Sequence, residues 1–204
     1  MGGAGFRAIE GGSEMLFTGH GDAGYTSIIG GPSLLKCDAR LEAIGALDEA
    51  QAHLGLIRAM LAGSPWTESI RFVQADLQLL MAECATAPTA RGDAADPFIT
   101  EDHVRRLEGE LAAWDDCVGG FRGLVTPGDS ILDAQLHLAR TAIRRAERKV
   151  VALHQDGGIA NPIILTYLNR LSSWVYGLTM TADVADRVVP NLIPNRRKES
   201  ETSA

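Results

Sequence analysis

The sequence predicts an all-α protein in which five helices form a bundle behind a glycine-rich N-terminal loop. Apolar residues recur at helical spacing in five segments from residue 38 onward, and glycine or proline separates each segment from the next. No alternating apolar and polar run is long enough to predict a convincing strand. We therefore expect one domain that comprises the loop, residues 1–36, and the bundle, residues 37–190, followed by a flexible polar tail, residues 191–204.

The first two helices are predicted to form a pair. Helix one begins after Asp38 and ends at Gly63, and its apolar face consists of Leu41, Ile44, Leu47, Leu54, Ile57 and Leu61. Ser64 and Pro65 fit the N-cap and the first residue of helix two. The apolar face of helix two consists of Ile70, Val73, Leu77, Leu80 and Cys84. We therefore assign Cys84 to the core rather than to catalysis.

Helix three follows a loop that we predict for residues 86–98, where prolines and small residues are frequent. The helix begins near Thr100 and ends at the glycine pair 119–120. Its apolar face consists of Val104, Leu107, Leu111 and Trp114.

Helices four and five complete the bundle. Asp129 and Ser130 are candidate N-caps for helix four, which runs to about Gln155. The core face of helix four consists of Leu132, Leu136, Ala139, Ile143, Ala146, Val150 and Leu153. Asn161 and Pro162 begin helix five, and its inner face consists of Ile164, Leu168, Leu171, Val175 and Leu178.

Charge and cysteine usage exclude several classes of protein. With 19 Lys and Arg against 26 Asp and Glu, the net charge is -7, whereas a nucleic-acid binder needs surplus positive charge. The three cysteines are far apart, which argues against a disulfide framework or a thiolate zinc site. We find neither a signal peptide nor a run of roughly 20 apolar residues. We expect a cytoplasmic protein that binds neither nucleic acid nor a membrane.

A polar stripe borders the core face of helix four. It consists of His137, Arg140, Arg144 and Glu147, and Arg145 and Arg148 lie on neighbouring faces. A solvated helix face with stabilising Arg–Glu pairs is one interpretation. However, four arginines within nine residues repel one another unless an anion offsets their charge, and guanidinium groups suit phosphate oxygens. The stripe therefore indicates a binding site for a phosphorylated small molecule.

The glycine-rich loop could bind the same phosphates. Between Thr18 and Ser27 it has closely spaced glycines, whose backbone N–H groups can approach an anion, although simple turn formation explains glycines equally well. The spacing from Gly19 matches that of a Walker A loop, but Tyr25 replaces the lysine, so we exclude a P-loop fold. Lys36 could supply the missing cation from outside the loop.

Three blocks of sequence carry a resemblance to a known family. The first runs from His20 to Ser27, continues as Lys36-Cys-Asp, and reaches the segment Leu41–Glu49. The second, which is the most specific, is LHLARTAIRRAER from Leu136, and the third is YLNRLS from Tyr167. Together they resemble the PduO-type cob(I)alamin adenosyltransferases, which transfer the adenosyl group of ATP to cobalt.

The resemblance implies an antiparallel five-helix bundle that forms a homotrimer, with Mg²⁺ and ATP bound between subunits under the loop. The residues expected around the triphosphate are Thr18, Gly21, Thr26, Ser27 and Lys36. The residues expected to complete the nucleotide site are Arg144, Glu147, Arg148 and Asn169, with Arg144 and Lys36 as the catalytic pair. Asp48 and Arg140 are expected to pair between subunits beside the corrinoid. ATP would hold the Mg²⁺, and we assign no protein ligands to it.

The implied reaction is substitution at the ribose C5′ of ATP by cob(I)alamin, which forms adenosylcobalamin and releases triphosphate. A reductase and an acceptor enzyme that uses the product are expected partners. The chain departs from the family on the corrinoid side, because Leu124 stands where an aromatic ring usually packs against the lower face of the corrin. The alternative interpretation is therefore a carrier that binds corrinoid or nucleotide with little or no catalysis. A bundle with no small-molecule role would leave the arginine stripe unexplained.

Overall fold

A computed structural model describes residues 19–91, 98–118 and 125–188. Five long helices form the bundle, together with one short helix and a two-stranded antiparallel sheet. In chain order the elements are β1 (Tyr25–Ser27), β2 (Ser33–Leu35), α1 (Ala39–Met60), α2 (Trp66–Ala85), α3 (Pro88–Arg91), α4 (Glu101–Val118), α5 (Ile131–Gln155) and α6 (Ile163–Val188). None of the helices in these ranges is both long and apolar enough to cross a bilayer.

Most of the predicted helix boundaries are confirmed. Of the two predicted candidates, Ser130 caps α5, because its hydroxyl accepts the N–H of Asp133. The prediction for the start of α2 was wrong. Pro65 itself occupies the N-cap position with helical φ and ψ, and no side chain caps the helix. Ser64 contributes only its backbone carbonyl, which accepts the N–H of Thr67 at 3.2 Å.

The long helices pack both as antiparallel and as parallel pairs. At one end of the α1–α5 pair Gln135 hydrogen-bonds His53, and at the other end Lys149 bonds Glu42, so these helices are antiparallel. By contrast, α4 and α6 are parallel neighbours, because Glu108 pairs with Arg170 and further along both helices Trp114 packs against Trp174. The bundle is therefore antiparallel at the α1–α5 contact and parallel at the α4–α6 contact.

The predicted apolar faces form one continuous core. Its fully buried members include Leu47, Leu54, Ile143 and Leu168, each of which contributes roughly 1.5–3 kcal/mol through burial. Cys84 belongs to this core, as predicted, and burial raises the pKa of its thiol to about 12. The thiol therefore stays protonated and unreactive.

Two short elements were missed by the sequence analysis. β1 and β2 pair from Tyr25 opposite Leu35 to Ser27 opposite Ser33, and three-residue strands are too short to show a period-two pattern. The segment predicted as a loop over residues 86–98 contains α3, and Thr86 forms a parallel bridge with Ile29. Neither β1–β2 nor α3 is long enough to show a hydrophobic period.

A buried carboxylate connects three helices. Asp76 on α2 is 3% exposed and accepts a hydrogen bond of 2.9 Å from the Tyr167 hydroxyl on α6. It also pairs with Arg106 on α4, and the Nε2 atom of His103 lies 3.8 Å from its other oxygen. Burial, followed by the charge of Asp76, raises the pKa of Tyr167 well above its ordinary value. The hydroxyl is therefore a permanent donor to the carboxylate.

We expect Tyr167→Phe to destabilise the protein by about 1–3 kcal/mol, because the variant removes one donor from a buried carboxylate. Urea unfolding measures the change in free energy. The matched control is Tyr25→Phe, since Tyr25 is 47% exposed and its loss should change the free energy by less than about 0.5 kcal/mol. Equal unfolding midpoints for both variants would show that the Asp76 contact contributes nothing.

Candidate functional site

The glycine-rich segment folds as two tight turns that lead into β1. The N–H of Asp22 donates to the carbonyl of Gly19, and the N–H of Gly24 donates to that of Gly21, both at 3.1 Å. Gly19 and Gly24 have φ angles of 72° and 81°, which side chains with a Cβ rarely adopt. Here the glycines are required by the backbone conformation.

Lys36 lies directly against this turn. Its backbone N–H donates to the carbonyl of Gly24 at 2.8 Å, at the end of the β1–β2 pair. A Cβ atom added to Gly21 would lie only 2.7 Å from the Lys36 Nζ atom. The structure therefore brings Lys36 and Gly21 together, and a side chain at position 21 would displace the ammonium group. Thr26 and Ser27 follow in β1, half-buried and exposed respectively.

The cations of α5 divide into two groups. Arg145 pairs with Glu49, and Lys149 pairs with Glu42 at 2.7 Å, so these two hold α5 against α1. Arg144 and Arg148 are exposed, and neither pairs with a carboxylate anywhere in the described ranges. Arg148 instead donates to the backbone carbonyl of Arg144 at 2.9 Å. No carboxylate of the described ranges therefore neutralises the charge of either guanidinium group.

The stripe is less uniform than predicted. His137 is buried, Arg140 and Glu147 are half-buried, and Arg144 is exposed rather than half-covered. The difference arises because side chains about 100° around the helix from its core face contact neighbouring helices at some levels along α5 and solvent at others. Burial lowers the pKa of His137, whose Nε2 atom lies 3.4 Å from Asp133.

Glu147 and Asn169 form one end of a polar row across three helices. The Asn169 amide donates to Glu147 at 3.2 Å, and its oxygen accepts from Arg170 at 3.1 Å. Arg170 also donates to Glu108 on α4 at 2.7 Å. The predicted neighbours Glu147 and Asn169 are thus in contact, beside Arg144 and Arg148 on α5.

Other predicted residues are not brought together within one chain. Asp48 is exposed on α1, and Arg140 forms no ion pair with it or with any other carboxylate in the portion described. The Arg140 Nε atom is buried and has no hydrogen-bond partner there. Thr18 and Leu124 lie outside the described residues.

One further observation concerns metal binding. No group of three His, Cys, Asp or Glu side chains that could hold a metal ion occurs in residues 19–91, 98–118 and 125–188.

The sequence analysis also missed Arg40, which is 7% exposed and whose side chain donates to backbone carbonyls. A cation in the first turn of a helix opposes the helix dipole, and this was the available signal.

Comparisons with known proteins agree with this geometry. The family model for cobalamin adenosyltransferase matches residues 16–182. A corrinoid adenosyltransferase from Bacillus subtilis is 34% identical over 79% of this chain and 82% of its own length. The corrinoid adenosyltransferase PduO from Citrobacter freundii is 31% identical, and the match spans 82% of this chain but 50% of that protein.

A solved structure also resembles the chain. A variant of the PduO-type ATP:corrinoid adenosyltransferase from Lactobacillus reuteri, complexed with cobalamin and ATP, superposes with a TM-score of 0.76 at 28% identity. The superposition covers 85% of this chain and 96% of that one. The matched family model spans all three sequence blocks, the turn with Lys36, and both polar groups on α5 and α6. This chain belongs to the cobalamin adenosyltransferase family.

Proposed function

We propose that this chain is a corrinoid adenosyltransferase, which transfers the 5′-deoxyadenosyl group of ATP to cob(I)alamin and releases triphosphate. The observation that carries the proposal is the pair of guanidinium groups, Arg144 and Arg148, without a carboxylate partner in the described ranges of an acidic protein. Together with Lys36 over the glycine turn they provide the positive charge that a triphosphate requires.

The ATP site in this proposal has two parts. The loop part contains Thr18, Gly21, Thr26, Ser27 and Lys36. The helical part contains Arg144, Glu147, Arg148 and Asn169. As the family resemblance implies, we assign the two parts to neighbouring subunits of a homotrimer. Exposed apolar residues on the same surfaces favour such an interface, namely Ile29 and Leu35 near the loop and Ile131, Leu138 and Val151 on α5.

The corrinoid part of the site includes Asp48 and Arg140, which we propose to pair across the same interface. The half-buried Arg140 guanidinium, whose Nε atom has no hydrogen-bond partner in the described residues, supports this assignment, since such a group is unfavourable until an acceptor binds it.

We also propose that the loop and the bundle form one domain, which is supported by the hydrogen bonds between Ile29 and residues 85 and 87.

The chemistry needs positioning more than acid–base catalysis. The electron pair of Co(I) forms the cobalt–carbon bond at C5′, while the C5′–O bond breaks and its electrons leave with triphosphate. Lys36 and Arg144 stabilise the charge that accumulates on the departing triphosphate, together with the Mg²⁺ that ATP brings. The two parts of the site hold the nucleotide in line with the corrinoid. We further propose a cytoplasmic location, with a cobalt reductase and an acceptor enzyme as partners.

Formation of adenosylcobalamin tests this function. The wild-type chain, Mg·ATP and chemically reduced cobalamin are mixed anaerobically, and the visible spectrum follows the product. We expect stoichiometric consumption of ATP and release of triphosphate. Tight corrinoid binding without formation of product would favour the alternative, a carrier. The reason for testing the carrier is that position 124 is leucine instead of an aromatic residue.

We expect Leu124→Phe to increase the rate of adenosylation when the reaction starts from cob(II)alamin and a reductant. An aromatic ring would exclude the lower axial ligand from cobalt more completely than leucine, and this favours reduction. With chemically prepared cob(I)alamin, which needs no reduction, the two proteins should react at similar rates. An unchanged or slower rate from cob(II)alamin would contradict this role of position 124.

A further inference from the structure

Arg40 is a buried cation whose partners are backbone carbonyls. Its guanidinium donates to the carbonyls of Cys84, Thr86 and Gly158, the last at 2.7 Å. No carboxylate in the described parts of the chain pairs with it. Two of the acceptors lie at the C-terminal end of α2, where carbonyls have no helical partner and carry partial negative charge. Arg40 therefore serves as a cap for a helix other than its own.

The backbone that Arg40 binds is the same backbone that holds the glycine-rich segment. Thr86 is extended, with φ and ψ of -90° and 126°, so successive polar groups point to opposite sides. On one side the carbonyl of Ala85 and the N–H of Ala87 bond Ile29, both at 2.9 Å. On the other side the carbonyls of Cys84 and Thr86 accept from Arg40. Arg40 and Ile29 thus bind opposite edges of the same backbone segment, residues 84–87.

Arg40 also connects this segment to the start of α1. Its own N–H donates to the Asp38 side chain at 2.8 Å, two residues after Lys36. The contact with Gly158 ties in the connection from α5 to α6, where a Cβ on Gly158 would overlap Leu153. The Arg40 side chain therefore ties the anchor of this segment at Ile29 to the bundle, whereas the contact near Lys36 is made by the backbone N–H of Arg40.

We infer that Arg40 is a positioning residue for nucleotide binding, whose guanidinium holds the backbone to which Ile29 is anchored and thereby the segment that carries Lys36. This inference rests on the proposed function. Without the guanidinium, the backbone at residues 84–86, to which Ile29 is anchored, loses its hydrogen bonds to α1. ATP must then order the segment upon binding, and that lowers the affinity for the triphosphate but leaves the corrinoid site unchanged.

Variants at position 40 test the inference, with Arg58→Gln as the matched control, because Arg58 lies near the far end of the same helix. We expect Arg40→Gln to raise the KM for ATP and the Kd for Mg·tripolyphosphate at least tenfold. The KM for cobalamin and kcat at saturating ATP should change less than threefold. Arg40→Lys, which keeps the charge but has fewer donors, should give an intermediate KM for ATP.

Amide hydrogen exchange provides a readout that does not depend on catalysis. In Arg40→Gln the amides of Ile29 and Ala87 should exchange at least tenfold faster, whereas that of Leu47 in the core should not change. Unchanged amide exchange together with unchanged tripolyphosphate affinity would overturn the inference. An equal rise of the KM values for ATP and for cobalamin would overturn it too. If Arg40→Gln fails to fold, Arg40→Lys is held to the same criteria, with a threefold threshold. If the wild-type chain binds no Mg·ATP, the proposed function itself fails. If the wild-type chain binds Mg·ATP and Arg40→Gln binds it equally tightly, only the role of Arg40 fails.

Discussion

Replacing Arg144 with alanine is expected to reduce kcat/KM for adenosylcobalamin formation by about 10²–10³-fold. Arg144 is exposed on α5 and has no carboxylate partner in the described ranges, so its charge is available to the departing triphosphate. Because the variant removes no internal contact of the Arg144 side chain, its thermal midpoint should stay within about 2 °C of the wild-type value.

Arg105→Ala is the matched control for this experiment. Arg105 is also exposed on a helix, but it pairs with Glu101 and Asp102 within α4, and its loss should change the rate less than twofold. Equal rates for Arg144→Ala and wild type would remove Arg144 from the site. A large loss of thermal stability would instead give Arg144 a structural role.

Replacing Lys36 with methionine is expected to lower kcat by about 10²-fold, because the ammonium group over the Gly21 turn is lost while the apolar stem remains. Gly21→Val should give a comparable loss with the lysine still present, since a Cβ at position 21 would lie 2.7 Å from Nζ. Stopped-flow spectroscopy of the cobalt–carbon bond-forming step measures both effects.

The control is Lys149→Met, which removes a lysine that pairs with Glu42 on the protein surface and should retain at least half of the wild-type rate. If Gly21→Val is fully active, then the position of Lys36 seen in the structure is not the one used in the reaction. If Lys36→Met and Lys149→Met lose activity equally, general positive charge rather than a specific contact explains the effect.

The sequence predicted the helices and the core well, because amphipathic periodicity repeats over many residues. The faces through Leu47 and Ile143 are buried as predicted, and the Ser130 cap is present. The β1–β2 pair and α3 were missed, since elements of three or four residues are too short to show a hydrophobic period. The start of α2 was predicted one residue too early, because Pro65 is the N-cap and Trp66 is the first helical residue.

The candidate site was only partly predictable from the residues. Spacing alone placed four arginines on one stretch of α5, but could not show that Arg145 is neutralised by Glu49 while Arg144 is not. That distinction depends on which residues of α1 lie opposite. Similarly, no local pattern indicates that Arg40 caps α2, because its acceptors are carbonyls 44 or more residues away in the chain.

The most direct test of a site shared between neighbouring subunits mixes two inactive variants. Lys36→Met and Arg144→Ala chains are unfolded together, refolded in equal amounts, and assayed for adenosylcobalamin formation. Random assortment would join an intact loop to an intact α5 at about one interface in four, which predicts recovery of about a quarter of the wild-type rate. Activity no greater than the mean of the two variants assayed separately would contradict the shared site and place both residues in one chain's own site.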